Sequence, residues 1–174
     1  GSLAGTAVNR YGVYYKNNVK GAVHNVNVSN NLYGVFFEVS SNNSLTSSVA
    51  NSNQYGIYIL LSLNNNITNI TSNSNIQYGL FITSSSGNII DTANLSENQQ
   101  YDLYIGASSD LYCSNIIQNI TGSGNRPIGY YTYSVNLADK TLSELVLCNA
   151  DYSNLTNITI QGSDTLNNSM MYLL

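Results

Sequence analysis

A tyrosine followed by glycine and an apolar residue returns at a nearly constant interval, and that interval leaves few folds open. Tyr11-Gly12-Val13, Tyr33-Gly34-Val35, Tyr55-Gly56-Ile57 and Tyr78-Gly79-Leu80 are followed by Tyr101-Asp102-Leu103, where Asp replaces the glycine. The spacings are 22, 22, 23 and 23 residues. The second and fourth residues after each tyrosine are apolar, as in Val35 and Phe37 or Ile57 and Ile59, and alternation with a period of two is the mark of a strand. Ser-Asn turns follow, such as Ser40-Ser41-Asn42-Asn43, whose short side chains bond back to the local backbone. A second short apolar run then completes each copy, from Leu45 to Val49, Ile67 to Ile70, Ile89 to Ala93 and Tyr112 to Ile116.

A unit of this length cannot bury its own apolar face, whereas stacked copies can. The expected fold is all-β: a single right-handed parallel β-helix, or solenoid, over residues 1–174, with about seven coils of 22–23 residues. Regular repeats occupy 11–121. Residues 122–143, which hold the only proline (Pro127), read as a loop excursion. Residues 144–174 read as final coils that continue into a neighbouring chain or into further sequence.

Stacking accounts for the composition. Charged residues are 8% of the chain, against roughly 25% in an ordinary soluble domain, and Asn (29) and Ser (24) take their place. Identical positions lie above one another in such a fold, where like charges repel and asparagines can bond along a column. The same composition lacks the basic patch that nucleic acid requires. No apolar run approaches the ~20 residues of a membrane span. Gly1 to Gly5 resemble neither a basic n-region nor an apolar h-region, so no secretory leader is read there. An extracellular or cell-surface location is nonetheless expected from the low Lys and high Asn, Ser and Tyr content. Candidate N-glycosylation sequons begin at Asn27, Asn42, Asn66, Asn69, Asn94, Asn119, Asn154, Asn157 and Asn167. Cys113 and Cys148 allow one disulfide or two buried thiols.

Three kinds of chemistry compete for a site. The soft or imidazole ligands are His24, Cys113, Cys148, Met170 and Met171, spread over distant coils, so neither a metal site nor a cofactor is expected. Asp91, Glu97, Asp102 and Asp110 fall in neighbouring coils. Asp102 and Asp110 are the weak catalytic candidates for polysaccharide cleavage, which needs paired carboxylates. No Lys or Arg lies between Lys20 and Arg126 to hold an acidic sugar, and solvated turn carboxylates are the plainer reading. Third, Tyr14, Phe36, Tyr58, Phe81 and Tyr104 stand three residues after each repeat tyrosine, at the parity opposite to the core. They form an exposed aromatic stripe, and such stripes usually meet a partner. It would bind a neighbouring protein, stack on sugar rings, or lie under the 122–143 segment. The repeat tyrosines share the core's parity and read as a corner ladder.

The Tyr-Gly unit with its Ser-Ser-Asn-Asn turn resembles the parallel β-helix repeat of archaeal surface proteins and of the NosD-like family, named for periplasmic copper delivery. The segment from Asn125-Arg126-Pro127-Ile128 through Leu145-Val146-Leu147-Cys148 to Asn157-Ile158-Thr159-Ile160 resembles a block recurrent in the same proteins. The resemblance implies the fold far more than an activity, because this repeat serves lyases, hydrolases, adhesins and assembly proteins alike. The expected role is a non-enzymatic surface or filament-forming module, a homo-oligomer stacked head to tail or part of a longer β-helix. A carbohydrate-binding or polysaccharide-cleaving β-helix is the alternative.

Overall fold

The computed structural model describes residues 9–174, and the Gly1-Ser2 start lies outside the described residues. The tyrosine strands β1 (Asn9–Lys16), β4 (Asn31–Glu38), β6 (Tyr55–Leu60), β8 (Tyr78–Thr83) and β10 (Tyr101–Gly106) pair in parallel, in that order. The second runs form another parallel sheet from β2 (Ala22–His24) and β3 (Asn27–Val28) through β5 (Ser44–Ala50), β7 (Asn66–Thr71) and β9 (Ile89–Leu95) to β11 (Ile116–Gly122). Equivalent residues pair directly: Val35 faces Ile57 across β4 and β6, and Ile67 faces Ile90 across β7 and β9. Phe37, Leu45, Ile59, Ile67, Ile82 and Ile90 fill the space between the sheets and have essentially no exposed surface. The chain is a parallel β-solenoid of about 8 turns.

Columns of amides hold the corners. In one, the side-chain N–H of Asn43 donates to Asn65 Oδ1 at 3.0 Å, Asn65 to Asn88 at 2.9 Å, and Asn88 to Asn115 at 3.0 Å. The backbone amides of Asn43, Asn65 and Asn88 donate to the same oxygens, so each Oδ1 closes two bonds. A second column runs Asn31, Asn53, Asn75 and Asn98, and Ser40, Ser62 and Ser85 make a third through backbone N–H to Oγ bonds. Buried polar groups are costly unless paired, and every fully buried side-chain N or O atom among the described residues is paired. Stacking also fixes turns against residue preference. Asn17, Val39, Leu61 and Ser84 share one corner with φ of 47°, 49°, 49° and 47°, although a left-handed valine is sterically poor.

The Tyr-Gly motif has a steric cause in the second column. A Cβ on Gly56 would lie 2.6 Å from Asn75 Nδ2, and one on Gly79 would lie 2.5 Å from Asn98 Nδ2. In the fifth copy no further asparagine occupies that space. Asp102 uses it instead, and its Oδ1 accepts from Asn98 Nδ2 at 2.9 Å, ending the column on a carboxylate.

The last coils depart from the expected continuation. The segment 122–143 is not a loop: a short turn at Ser123–Asn125 leads into β12 (Ile128–Tyr131) and β13 (Asn136–Leu142). Strands β12, β14 (Glu144–Leu147) and β16 (Met170–Leu173) form one parallel sheet, and β13 pairs with β15 (Asn154–Ile160). None of these strands joins the sheets that end at β10 and β11. Ile128, Tyr130, Val146 and Cys148 instead enter the core of the first stack, while Leu145 and Leu147 face a second core with Leu142, Leu155 and Ile158. One face of the β12–β14–β16 sheet therefore closes the first stack. The reason is coil length: Ile128 lies opposite Glu144 and Asn136 opposite Asn154, intervals too short to superpose on the earlier coils. A Cys113–Cys148 disulfide ties the last coil of the first stack to this cap across 35 residues.

Two outcomes follow from this packing. Asn65→Ala leaves the two Asn43 donors without an acceptor and takes a donor from Asn88 Oδ1 and Ser40 O; it lowers unfolding free energy by about 3 kcal/mol in denaturant titration, whereas exposed Asn66→Ala changes it by less than about 0.5 kcal/mol. Equal effects would contradict the column. Reducing the disulfide frees a long loop in the unfolded chain and removes about 4 kcal/mol; a loss below about 1 kcal/mol would show that the cap holds without it.

Candidate functional site

The aromatic stripe is a double row. Within each tyrosine strand the glycine position and the residue after it both point inward, so the repeat tyrosine and the residue three later both point outward. In β6, Gly56, Ile57 and Ile59 are buried while Tyr55 and Tyr58 are half-exposed. The parity expected for the repeat tyrosines is thus corrected: their rings lie beside the stripe. Tyr11, Tyr33, Tyr55, Tyr78 and Tyr101 form one row, and Tyr14, Phe36, Tyr58, Phe81 and Tyr104 the other, but Phe36, expected to be exposed, is buried among the stacked rings of Tyr14, Tyr33 and Tyr58. Tyr172 of the cap extends the second row, with its ring 5.7 Å from Tyr104.

The rings use up one another's faces. Centroids are 5.4 Å apart for Tyr14–Phe36, 5.0 Å for Phe36–Tyr58 and 4.6 Å for Tyr58–Phe81, with interplanar angles of 3°, 12° and 4°. Tyr33 stacks on Phe36 at 4.7 Å across the rows. The stacking loosens toward the cap, where Phe81–Tyr104 is edge-on at 63° and Tyr78 is tilted against Tyr55 and Phe81 at 46° and 56°. Arg10 covers the end ring of Tyr11 at 5.4 Å, a cation–π contact. What faces outward is a comb of ring edges and phenol hydroxyls. Partial burial raises the pKa of Tyr33, Tyr58, Tyr78 and Tyr104, so these hydroxyls stay neutral donors. The Tyr14 hydroxyl donates to Glu38. The 122–143 segment does not lie on the stripe: Tyr130 donates to Cys113 O at 2.6 Å in the core, and Tyr131 and Tyr133 pack edge-on with each other.

Asp102 is not a solvated turn carboxylate. It is fully buried, with Oδ1 on Asn98 and Oδ2 accepting from the Ser123 amide at 2.6 Å. Beside it lies a residue that sequence reasoning missed. Glu144 of β14 is also fully buried, and its two oxygens accept the backbone amides of Asp102 at 2.7 Å and Leu103 at 2.8 Å. A lone acid within Leu142-Ser143-Glu144-Leu145-Val146-Leu147 was the available signal. This pair seals the outer edge of β10 and offers no oxygen to a substrate. Asp110 opens an exposed 3-10 turn, Asp110–Cys113. Asp91 is held at the surface by Asn119 and Gln118, which lower its pKa. All nine sequon asparagines are exposed, from Asn27, Asn42 and Asn66 through Asn69, Asn94 and Asn119 to Asn154, Asn157 and Asn167.

A family model described as periplasmic copper-binding protein (NosD) matches residues 2–131, three quarters of the chain. The chain belongs to the NosD family. No curated protein and no solved structure matches it. The family's description raises copper, and the donors among the described residues do not fit it. His24 is exposed, with its Nδ1 3.2 Å from Asn25 Nδ2, both cysteines are spent in the disulfide, and Met170 and Met171 lie in the cap. No three His, Cys, Asp or Glu side chains converge among the described residues. Within the matched span, the described residues form a solenoid and bring no three such ligands together.

The sealed acid pair sets a pH dependence. Burial raises the pKa of Asp102, and burial followed by the charge of Asp102 raises that of Glu144 well above the ordinary value. A carboxyl whose folded pKa exceeds its unfolded value stabilises fully below that unfolded value, about 4. The contribution is lost as pH rises through the folded value. Tm therefore falls from pH 4 toward pH 8, and Glu144→Gln flattens the profile; a Tm that climbs over this range in the unaltered chain contradicts the assignment.

Proposed function

We propose that this chain is an exported, non-enzymatic structural module whose tyrosine face is an assembly surface for other proteins. The observation that carries the reading is the orientation of the rings. Sugar platforms present ring faces, and here the faces are stacked on one another. A row of ring edges and hydroxyls offers apolar contact with hydrogen bonds, the combination enriched in protein interfaces. Export is supported by the periplasmic description of the family and by a disulfide of the kind that persists in oxidising compartments. A non-enzymatic role is supported by the burial of Asp102 and Glu144, whose oxygens are filled by N–H donors.

Of the assembly routes that the repeat suggests, lateral contact through the tyrosine face is preferred to coaxial stacking on the β10 end. The outer amides there are held by Glu144, and the cap lies over them. A polysaccharide-binding role would need exposed ring faces in the stripe.

Photo-crosslinking amino acids placed at Tyr55, Tyr78 and Asn66 test the reading in cells that make the protein. The two tyrosine positions are expected to give protein adducts and Asn66, on the opposite sheet, none. Adducts that do not depend on the face, or glycan retention lost in Tyr58→Ala and Phe81→Ala, would overturn it.

A further inference from the structure

Two aliphatic side chains of the first stack stand where neither the backbone nor water favours them. Val39 and Leu61 occupy the corner that follows β4 and β6, with φ of 49° each, and they are 50% and 52% exposed. The flanking coils fill the same corner with Asn17 and Ser84. Asparagine accepts a left-handed backbone and a wet surface together, whereas a valine suits neither. Burial within this chain does not offset either cost, and backbone outliers of this kind mark working contacts.

The corner borders a narrow face of the solenoid. Just beyond it Val19, Ser41, Leu63 and Ser86 pair along the axis as single bridges, and Val19 and Leu63 are 61% and 42% exposed. The next corner, at Lys20, Asn42, Asn64 and Gly87, is left-handed again and ends the face, so Asn66 belongs to the adjoining sheet. The aliphatic groups lie in the middle coils, and the two ends carry opposite charge. Lys16 and Lys20 are exposed on the first coil, which begins at β1. On the fifth coil, the turn opened by exposed Asp110 takes the place of this segment, between Gly106, paired with Thr83, and Asn115, bonded to Asn88. Four strand spacings, ~19 Å, separate the ends.

The structure assigns this face to a second copy of the chain, which lies antiparallel to the first about a two-fold axis through the coil of Leu61 and Leu63. An isologous contact sets one patch against itself. The third coil then meets the third coil, where Leu61 and Leu63 of the two copies cover one another. Val39 lies over the Ser84 corner, and Asn42 faces Gly87, which has no side chain to oppose it. At both ends Lys20 meets the Asp110 turn. A parallel pair would instead gather the lysines of both copies at one end and both Asp110 side chains at the other, which like-charge repulsion disfavours. A face this small gives a transient dimer. It is separate from the tyrosine face and does not rest on the role proposed for that face.

Sedimentation velocity of the whole chain over a concentration series is expected to show monomer and dimer alone. Leu61→Asn weakens the dimer about tenfold or more, while its Tm in dilute solution holds or rises, because asparagine fits the left-handed corner. Lys20→Asp and Asp110→Lys each weaken self-association. Mixing these two variants restores it, since every reversed charge then meets its opposite across the antiparallel pair. A chain that stays monomeric at its highest soluble concentration, oligomers beyond the dimer, unchanged association of Leu61→Asn, or a mixture that fails to recover overturns the proposal. So does a glycan on Asn42 in protein taken from cells that make it, because the sugar would hold the two faces apart.

Discussion

Superposition of like on like is the constraint from which the rest of this molecule follows. Once each coil places its residues directly over those of the last, a buried corner must hold a group that satisfies itself in a column. Asparagine does so, because its N–H donates forward while its oxygen receives two donors from behind. The column tolerates nothing large beside it, hence the glycine after each tyrosine. It must also end somewhere. Asp102 ends it with a group that only accepts, and Glu144 then turns the same device on the backbone of β10. Low charge, abundant asparagine, Tyr-Gly and the two buried acids are consequences of one packing rule.

Much of this was legible in the sequence. The interval between tyrosines gave the coil, and the alternation after each tyrosine gave the buried residues Val35, Ile57 and Leu80 correctly. The outward direction of Tyr58 and Phe81 followed from the same alternation. It failed at the repeat tyrosines because Gly56 and Ile57 both turn inward, and strict strand parity cannot register a bend at glycine. Asp102 stood out as a departure from the motif, yet nothing in its neighbours announced a buried role. The missing information was the absence of an asparagine one coil later.

The cap was harder to read for a different reason. Its central strand Glu144–Leu147 is buried on both faces, so it shows no alternation at all. Shorter coil intervals and a sheet laid across the first stack leave a sequence that looks like interrupted repeats. Function sits at the same junction of the readable and the unreadable. The stripe was visible as a periodicity, whereas the stacking of its rings, which turns edges rather than faces outward, depends on side-chain geometry. Membership of the NosD family accounts for the solenoid, while no three His, Cys, Asp or Glu side chains converge among the described residues.

The claim that amide columns hold the stack is tested most directly by exchange of asparagine side-chain N–H groups in the folded protein. The Nδ2 protons of Asn43, Asn65 and Asn88 should exchange only through global unfolding, as slowly as the amides of the central strands. Exchange at the rate of the exposed side chains of Asn66 and Asn94 would contradict the account.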